Sequence, residues 1–222
     1  MLDREEMLRE IEREVEYTRR MIGREVLGKR VMAAMKTVPR HEFVPSSVVS
    51  QAYYNGPLPI GYGQTISQPY IVALMTDLLE PQADDRVLEV GTGSGYQAAV
   101  LSRVVQQVYT LEIIEPLARQ AEERFKRLDY RNIACRVSDG YDGWREESPF
   151  DGIIVTAASP NIPPPLVEQL KPGGRLVIPV GQPYFHQELM VVEKDAQGKS
   201  SVTDVLGVSF VPLTRHAASE EP

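Results

Sequence analysis

The stretch Val87-Leu88-Glu89-Val90-Gly91-Thr92-Gly93-Ser94-Gly95-Tyr96 reads as a short apolar strand, a glycine turn and the start of a helix. Glycines in such a turn permit positive φ and a close approach of backbone to ligand. In sheets built from strand–turn–helix units, ligands sit beyond the carboxyl ends of the strands, near the switch in strand order. The glycines stand at 91, 93 and 95. A dinucleotide fingerprint needs its third glycine at position 96, where this chain has Tyr96, and that ring would crowd a pyrophosphate. The lysine of a P-loop is also absent. A nucleoside ligand without phosphates fits the turn better.

Outward from this turn the chain alternates β-rich and helical runs. Strands are expected at residues 86–90, 108–112, 133–137, 152–156 and 175–179, and helices at 95–103, 116–128 and 164–170. Such alternation with short links predicts an α/β fold with a doubly wound, mostly parallel sheet. After Gly181 the helical pattern stops. Residues 186–194 and 201–211 read as antiparallel strands joined by a turn at Asp195-Ala196-Gln197-Gly198. Upstream, apolar residues at Leu8, Ile11, Val15, Ile22 and Val26 give a helical stripe over residues 2–36, weakened at Gly23 and Gly28 and stopped by Pro39. Residues 40–68, punctuated by prolines and glycines, read as irregular, and residues 69–79 as a helix. The expected organisation is N-terminal helices with a functional loop packed on the core (1–68), a ligand-binding core (69–215) and a frayed tail (216–222).

At 222 residues with 42% hydrophobic content, the chain can build a sizeable core, which excludes wholesale disorder. No apolar run approaches the ~20 residues of a membrane helix, and Met1 to Met7 lacks the basic-then-apolar order of a secretory signal. The net charge of −7 disfavours general nucleic-acid binding, which needs a surplus of Lys and Arg. Cys135 is the single cysteine, and His41, His186 and His216 have no metal-ligand spacing. A cytoplasmic, metal-free protein, without membrane or nucleic-acid partners and monomeric, is the expectation.

Glu112 closes the second strand of the core, 19 residues after Gly93. A carboxylate there can accept two hydrogen bonds from ribose hydroxyls. Asp139-Gly140 follows the third strand and either holds a base amino group or makes a plain turn. Glu89 either meets a cationic part of the ligand or caps the glycine turn. Together these parts resemble the S-adenosylmethionine (SAM) site of the Rossmann-like methyltransferases, in which the loop Gly91, Thr92, Gly93, Ser94, Gly95 would pass under the methionine end. That resemblance covers residues 84–181 and specifies the cofactor, not the acceptor.

The acceptor is read from Ala52-Tyr-Tyr-Asn-Gly-Pro-Leu-Pro-Ile-Gly-Tyr-Gly-Gln-Thr-Ile-Ser-Gln-Pro69. This stretch closely resembles the signature of the protein-L-isoaspartate O-methyltransferases. Arg40-His-Glu-Phe-Val-Pro45, Leu170-Lys-Pro-Gly-Gly-Arg-Leu-Val-Ile-Pro-Val-Gly181 and Phe210-Val-Pro-Leu-Thr214 match the same family, so the resemblance runs from about residue 20 to 215. One departure is Asn55, where many relatives carry an acidic residue. The resemblance implies methyl transfer from SAM to the α-carboxylate of L-isoaspartyl residues, and more weakly to the side chain of D-aspartyl residues, in damaged proteins and peptides. S-adenosylhomocysteine is the product left by the donor. It further implies Ser67 as the catalytic residue, Thr65 and Ile66 beside the cofactor, Ala157 and Ala158 beside the substrate backbone, and Thr214 on the far side of the pocket. Ser67 also has the position of a cap for the 69–79 helix. The segment 53–68 reads as a lid, and Asn55-Gly56 within it as a dipeptide prone to succinimide formation.

Three rival readings are weaker. A SAM-dependent enzyme on a small molecule or nucleic acid does not account for the 52–69 signature, and a binding-only module does not account for Ser67 and its lid. A nicotinamide oxidoreductase conflicts with the 91/93/95 glycine spacing.

Overall fold

A computed structural model describes residues 3–182 and 185–215; the expected tail at 216–222 lies outside the described residues. Its centre is a seven-stranded sheet. The chain order of elements is α1 (Arg4–Ile22), α2 (Lys29–Thr37), β1 (Leu58–Gly61), β2 (Gln64–Ile66), α3 (Pro69–Leu78), β3 (Arg86–Val90), α4 (Tyr96–Leu101), β4 (Gln107–Glu112), α5 (Glu115–Arg127), β5 (Ile133–Val137), β6 (Phe150–Val155), α6 (Pro164–Glu168), β7 (Leu170–Gly181), β8 (Gln187–Lys194) and β9 (Ser200–Val208). Across the sheet the order is β5-β4-β3-β6-β7-β8-β9. Strands β3 to β6 and the β6–β7 pair run parallel, and β8 and β9 finish the sheet antiparallel. Order reverses beside β3, so the glycine turn that follows β3 opens at the switch point where such sheets bind ligands.

Period-2 alternation sorts each central strand onto two faces. Val87, Ile154 and Val177 join one buried apolar cluster, which also takes in Met7, Ile11 and Val15 of α1. Leu88, Val90, Ile153, Val155, Leu176 and Ile178 join a second cluster on the opposite face. The N-terminal helical stripe is indeed two helices. Gly23 ends α1 in the left-handed region at φ 66°, and Gly28 precedes α2. Both helices are tied to α3, through Thr18 Oγ1 and Tyr70 Oη at 2.6 Å and through the Gly28 amide donating to Asp77 Oδ1 at 2.6 Å.

Two expectations are corrected. Residues 40–68 are not irregular throughout, because two 3-10 turns (Arg40–Phe43 and Ser46–Gln51) lead into the antiparallel β1–β2 hairpin. The last strand stops at Val208 rather than 211. The chain then leaves the sheet edge to cross the strand ends. There the Ala158 amide donates to Val211 O and the Leu213 amide to Ala158 O, both at 2.8 Å, and Pro212 has no amide with which to continue a ladder.

Candidate active site

Beyond the carboxyl ends of β3, β4 and β6 lies a cavity with about 740 Å3 of open space. Its floor is the glycine turn. Gly91 and Thr92 both donate their amides to Leu111 O, at 2.8 and 3.0 Å, so the turn is pinned to the next strand before any side chain takes part. Gly91 has φ 98°, and a Cβ there would strike Thr156 Oγ1, which itself donates to Gly91 O at 2.6 Å. Only glycine serves at that point. Ser94 Oγ accepts from the Tyr96 amide at 3.2 Å, at the head of α4.

Glu112 is the charged group of this cavity. One carboxylate oxygen accepts from the Gly93 amide at 2.7 Å and the other from the Ile114 amide at 2.9 Å. Although only 6% exposed, it lines the cavity wall. Each oxygen keeps a second lone pair free, so the group can accept from two neighbouring hydroxyls without losing its hold on the loop. A nucleoside sugar matches that arrangement, and the glycine cradle leaves room for the rest of an S-adenosyl group. No three His, Cys, Asp or Glu side chains gather among the described residues as a metal-binding group.

Most of the expected residues meet here. Thr65, Ile66, Ser67, Gly91, Thr92, Gly93, Ser94, Glu112, Gly140, Ala157 and Thr214 all line the cavity. Four do not. Glu89 shares the strand face of Val87, so its carboxyl is fully buried under that face instead of reaching the strand end. It accepts from Thr110 Oγ1 at 2.5 Å, and Thr110 in turn pairs with Thr92 at 2.6 Å, so Glu89 stands behind the cavity wall. Burial pushes its carboxyl up to about 8; the hydrogen bond from Thr110 opposes that rise and the negative charge of Glu112 adds to it. Gly95 faces away from the cavity: it has φ 86°, and a Cβ there would lie 2.6 Å from the Phe125 ring, so glycine is required for packing against α5. Asp139 makes the plain turn, accepting from the Tyr141 amide at 2.9 Å, while its neighbours Ser138 and Gly140 line the cavity. Ala158 is fully buried and clamps the 211–213 crossing through its backbone.

Sequence reading missed several walls. Thr156, at the end of the fourth parallel strand, was legible from the strand-end rule. Tyr96, Gln97, Ile114 and the 211–213 crossing were not, because tertiary packing brings them in. Also missed was a second hollow, with about 1010 Å3 of open space, between the β1–β2 hairpin and the β8–β9 end of the sheet. Pro57, Ile71, Val208 and Phe210 give it an apolar lining, with Gln68 and His186 at polar positions. Thr65, Ser67, Thr156 and Val211 line both hollows and form their junction.

Ser67 does not cap α3. Gln68 holds the cap position without a side-chain bond, and the Tyr70 amide donates instead to Asn55 Oδ1 at 3.0 Å. Nor is Asn55 the free, mobile residue expected of a lid. Its side chain is engaged by Tyr70, and the Gly56 amide donates to Tyr54 O at 2.9 Å, so both groups that must meet to form a succinimide are tied.

Comparison with known proteins agrees with this geometry. The sequence profile described as protein-L-isoaspartate(D-aspartate) O-methyltransferase matches residues 14–218. Protein-L-isoaspartate O-methyltransferase 2 of Syntrophobacter fumaroxidans is 61% identical over 211 residues, covering 95% of this chain and 85% of that protein. The enzyme of the same name from Nitrosococcus oceani is 62% identical over 214 residues, covering 96% of this chain and 97% of that protein. Among solved structures, a protein-L-isoaspartate O-methyltransferase superposes with a TM-score of 0.83 at 27% identity, over 96% of this chain and 66% of the other. By sequence over residues 14–218 and by fold, this chain belongs to the protein-L-isoaspartate (D-aspartate) O-methyltransferase family.

Proposed function

We propose that the first hollow takes the methyl donor, that the second takes an isoaspartyl segment of a damaged protein or peptide, and that Ser67 works at their junction. The reaction is that of the family: methyl transfer from SAM to the α-carboxylate of L-isoaspartyl residues, and more weakly to the D-aspartyl side chain. The observation that carries the reading is the sharing of Thr65, Ser67, Thr156 and Val211 by two adjoining hollows.

SAM, when bound, supplies an electrophilic methyl group on a positively charged sulfur. Glu112 would hold its ribose hydroxyls, and the glycine turn would pass beneath its methionine end. The acceptor carboxylate has an ordinary pKa below about 4 and is ionised at pH 7, so no general base is required. What remains for the protein is alignment and exclusion of water, since water stabilises separated charges that the transition state brings together. The Ser67 hydroxyl makes no hydrogen bond to other described residues and is free to donate to the acceptor carboxylate. The apolar walls at Pro57, Ile71, Val208 and Phe210 would exclude water around it. We read the enzyme as a cytoplasmic monomer. No described helix is long and apolar enough to cross a membrane.

Methyl transfer to matched peptides tests the reading. An isoaspartyl peptide should be methylated at least ~100-fold faster than its aspartyl twin, because an acceptor displaced by one methylene loses its in-line alignment. Equal rates would overturn it.

A further inference from the structure

The Ser67 hydroxyl makes no hydrogen bond to other described residues, so something else must hold it at the junction. The helix that follows offers little locally. Pro69 has no amide, which leaves Tyr70 with the first N–H of α3 in need of an acceptor, and Gln68 at the cap position supplies none. The acceptor comes from across the hairpin, as Asn55 Oδ1 at 3.0 Å. Asn55 leads into β1 and Ser67 leads out of β2, just below the closing pair of the hairpin, Leu58 and Ile66. The Asn55–Tyr70 bond therefore closes a ring of chain from 55 to 70 that contains Ser67.

The foot of this ring is fixed to the cofactor side. Arg40 is fully buried, donates from Nε to Ala52 O at 2.8 Å and from Nη2 to Gly56 O at 3.4 Å, and lies 4.8 Å from the centre of the Tyr96 ring. Tyr96 in turn lines the cofactor cavity. One end of the ring, Asn55–Gly56, is thus anchored through Arg40 to Tyr96, while the other, Tyr70, lies in α3, which lines both hollows through Ile71 and Val72.

We propose that Asn55 is a positioning residue for methyl transfer: by capping α3 from across the hairpin it closes the 55–70 ring and fixes the Ser67 corner between the two hollows. The proposal rests on the junction role of Ser67 given above. Its requirement is a hydrogen-bond acceptor at this position, not an amide. An aspartate meets that requirement and adds a favourable negative charge at a helix N-terminus. An alanine does not.

The test is a comparison of Asn55→Ala and Asn55→Asp with the wild type. Asn55→Ala should lower kcat on an isoaspartyl peptide about five- to tenfold, no more than the loss of the Ser67 hydroxyl itself, while S-adenosylhomocysteine affinity by calorimetry stays within about threefold. Asn55→Asp should recover kcat to within about threefold of wild type. In a Ser67→Ala background, Asn55→Ala should cost less than about threefold more, because residues acting through one contact are not additive. Amide hydrogen exchange at Tyr70 gives a readout independent of any acceptor: faster in Asn55→Ala, restored in Asn55→Asp. An inactive wild type would overturn the proposed function while exchange still judged Asn55. Unchanged exchange at Tyr70 in Asn55→Ala, equal impairment in the alanine and aspartate variants, or fully additive losses with Ser67→Ala would overturn the proposal. Asn55→Ser, whose shorter arm cannot span the hairpin, carries the same test should the alanine variant not fold.

Discussion

The two hollows, proposed for the cofactor and for the acceptor, are held together differently. Around the cofactor cavity the bonds join strand ends that lie side by side in the sheet: Gly91 and Thr92 to Leu111, Gly93 to Glu112, Thr156 to Gly91. Parallel pairing of β3 with β4 and β6 sets those distances, so the cavity floor is a property of the sheet. The acceptor hollow has no such frame. Its walls come from the hairpin arms, Thr156, His186 and the 207–211 segment, which no single ladder unites. The first cavity is thus fixed by the sheet and by side chains at its own strand ends, Glu112 and Thr156, whereas the hairpin beside the second hollow is held by side chains from outside the sheet, such as Arg40 and Asn55.

Removing Glu112 should give the largest break between the halves. Glu112→Ala deletes the carboxylate that holds both the Gly93 and Ile114 amides and the proposed ribose hydroxyls. A charge-assisted hydrogen bond is worth about 1.5–3 kcal/mol, so S-adenosylhomocysteine affinity should fall between about tenfold and a hundredfold or more by calorimetry. Retained affinity would move the ribose to another group and leave the two hollows without this division of roles.

Ser67→Ala sharpens the comparison from the other side. Turnover should drop about tenfold with cofactor affinity almost unchanged, because an interaction made with the acceptor in the transition state appears in kcat. Thermal stability should scarcely move, since the hydroxyl has no hydrogen bond to lose among the described residues. A variant with normal turnover and a lowered melting temperature would restore the capping role that the structure gives to Asn55.

The smallest effect on methyl transfer is expected at Glu89, behind the wall. Burial holds its proton in the fold up to about pH 8, against 4.5 for an ordinary glutamate. Between those values the folded chain carries one proton more than the unfolded chain, so stability falls as pH rises, by at most about 1.4 kcal/mol per pH unit. Glu89→Gln mimics the protonated form. It should flatten this slope in denaturant titrations from pH 5 to 8 and leave activity at pH 7 close to wild type. An unaltered slope would mean that Glu89 does not retain its proton.

Legibility in the sequence followed the same division. The parallel strands, the glycine turn and Glu112 were readable because strand periodicity, glycine spacing and the strand-end rule are local. Glu89 was misread for want of one parity count along β3, which sends it to the face of Val87. Gly95 was misread because its partner, Phe125, is 30 residues away in α5. Ser67 was singled out by resemblance alone, and its supposed capping role fell to a residue across the hairpin. The second hollow left no local signature, because its walls are drawn from segments that meet only in the folded chain.

The order of apolar, glycine and charged residues by itself determined a doubly wound sheet, a nucleoside-sized cradle at its switch point and the family signature at 52–69. These depend on backbone geometry and on neighbours within a turn or a strand. Tertiary structure alone decided which side chains face the cavity, which stand behind it and what fixes the serine corner. Those choices depend on contacts such as Asn55 with Tyr70 and Gly95 with Phe125, which exist only once distant elements have packed.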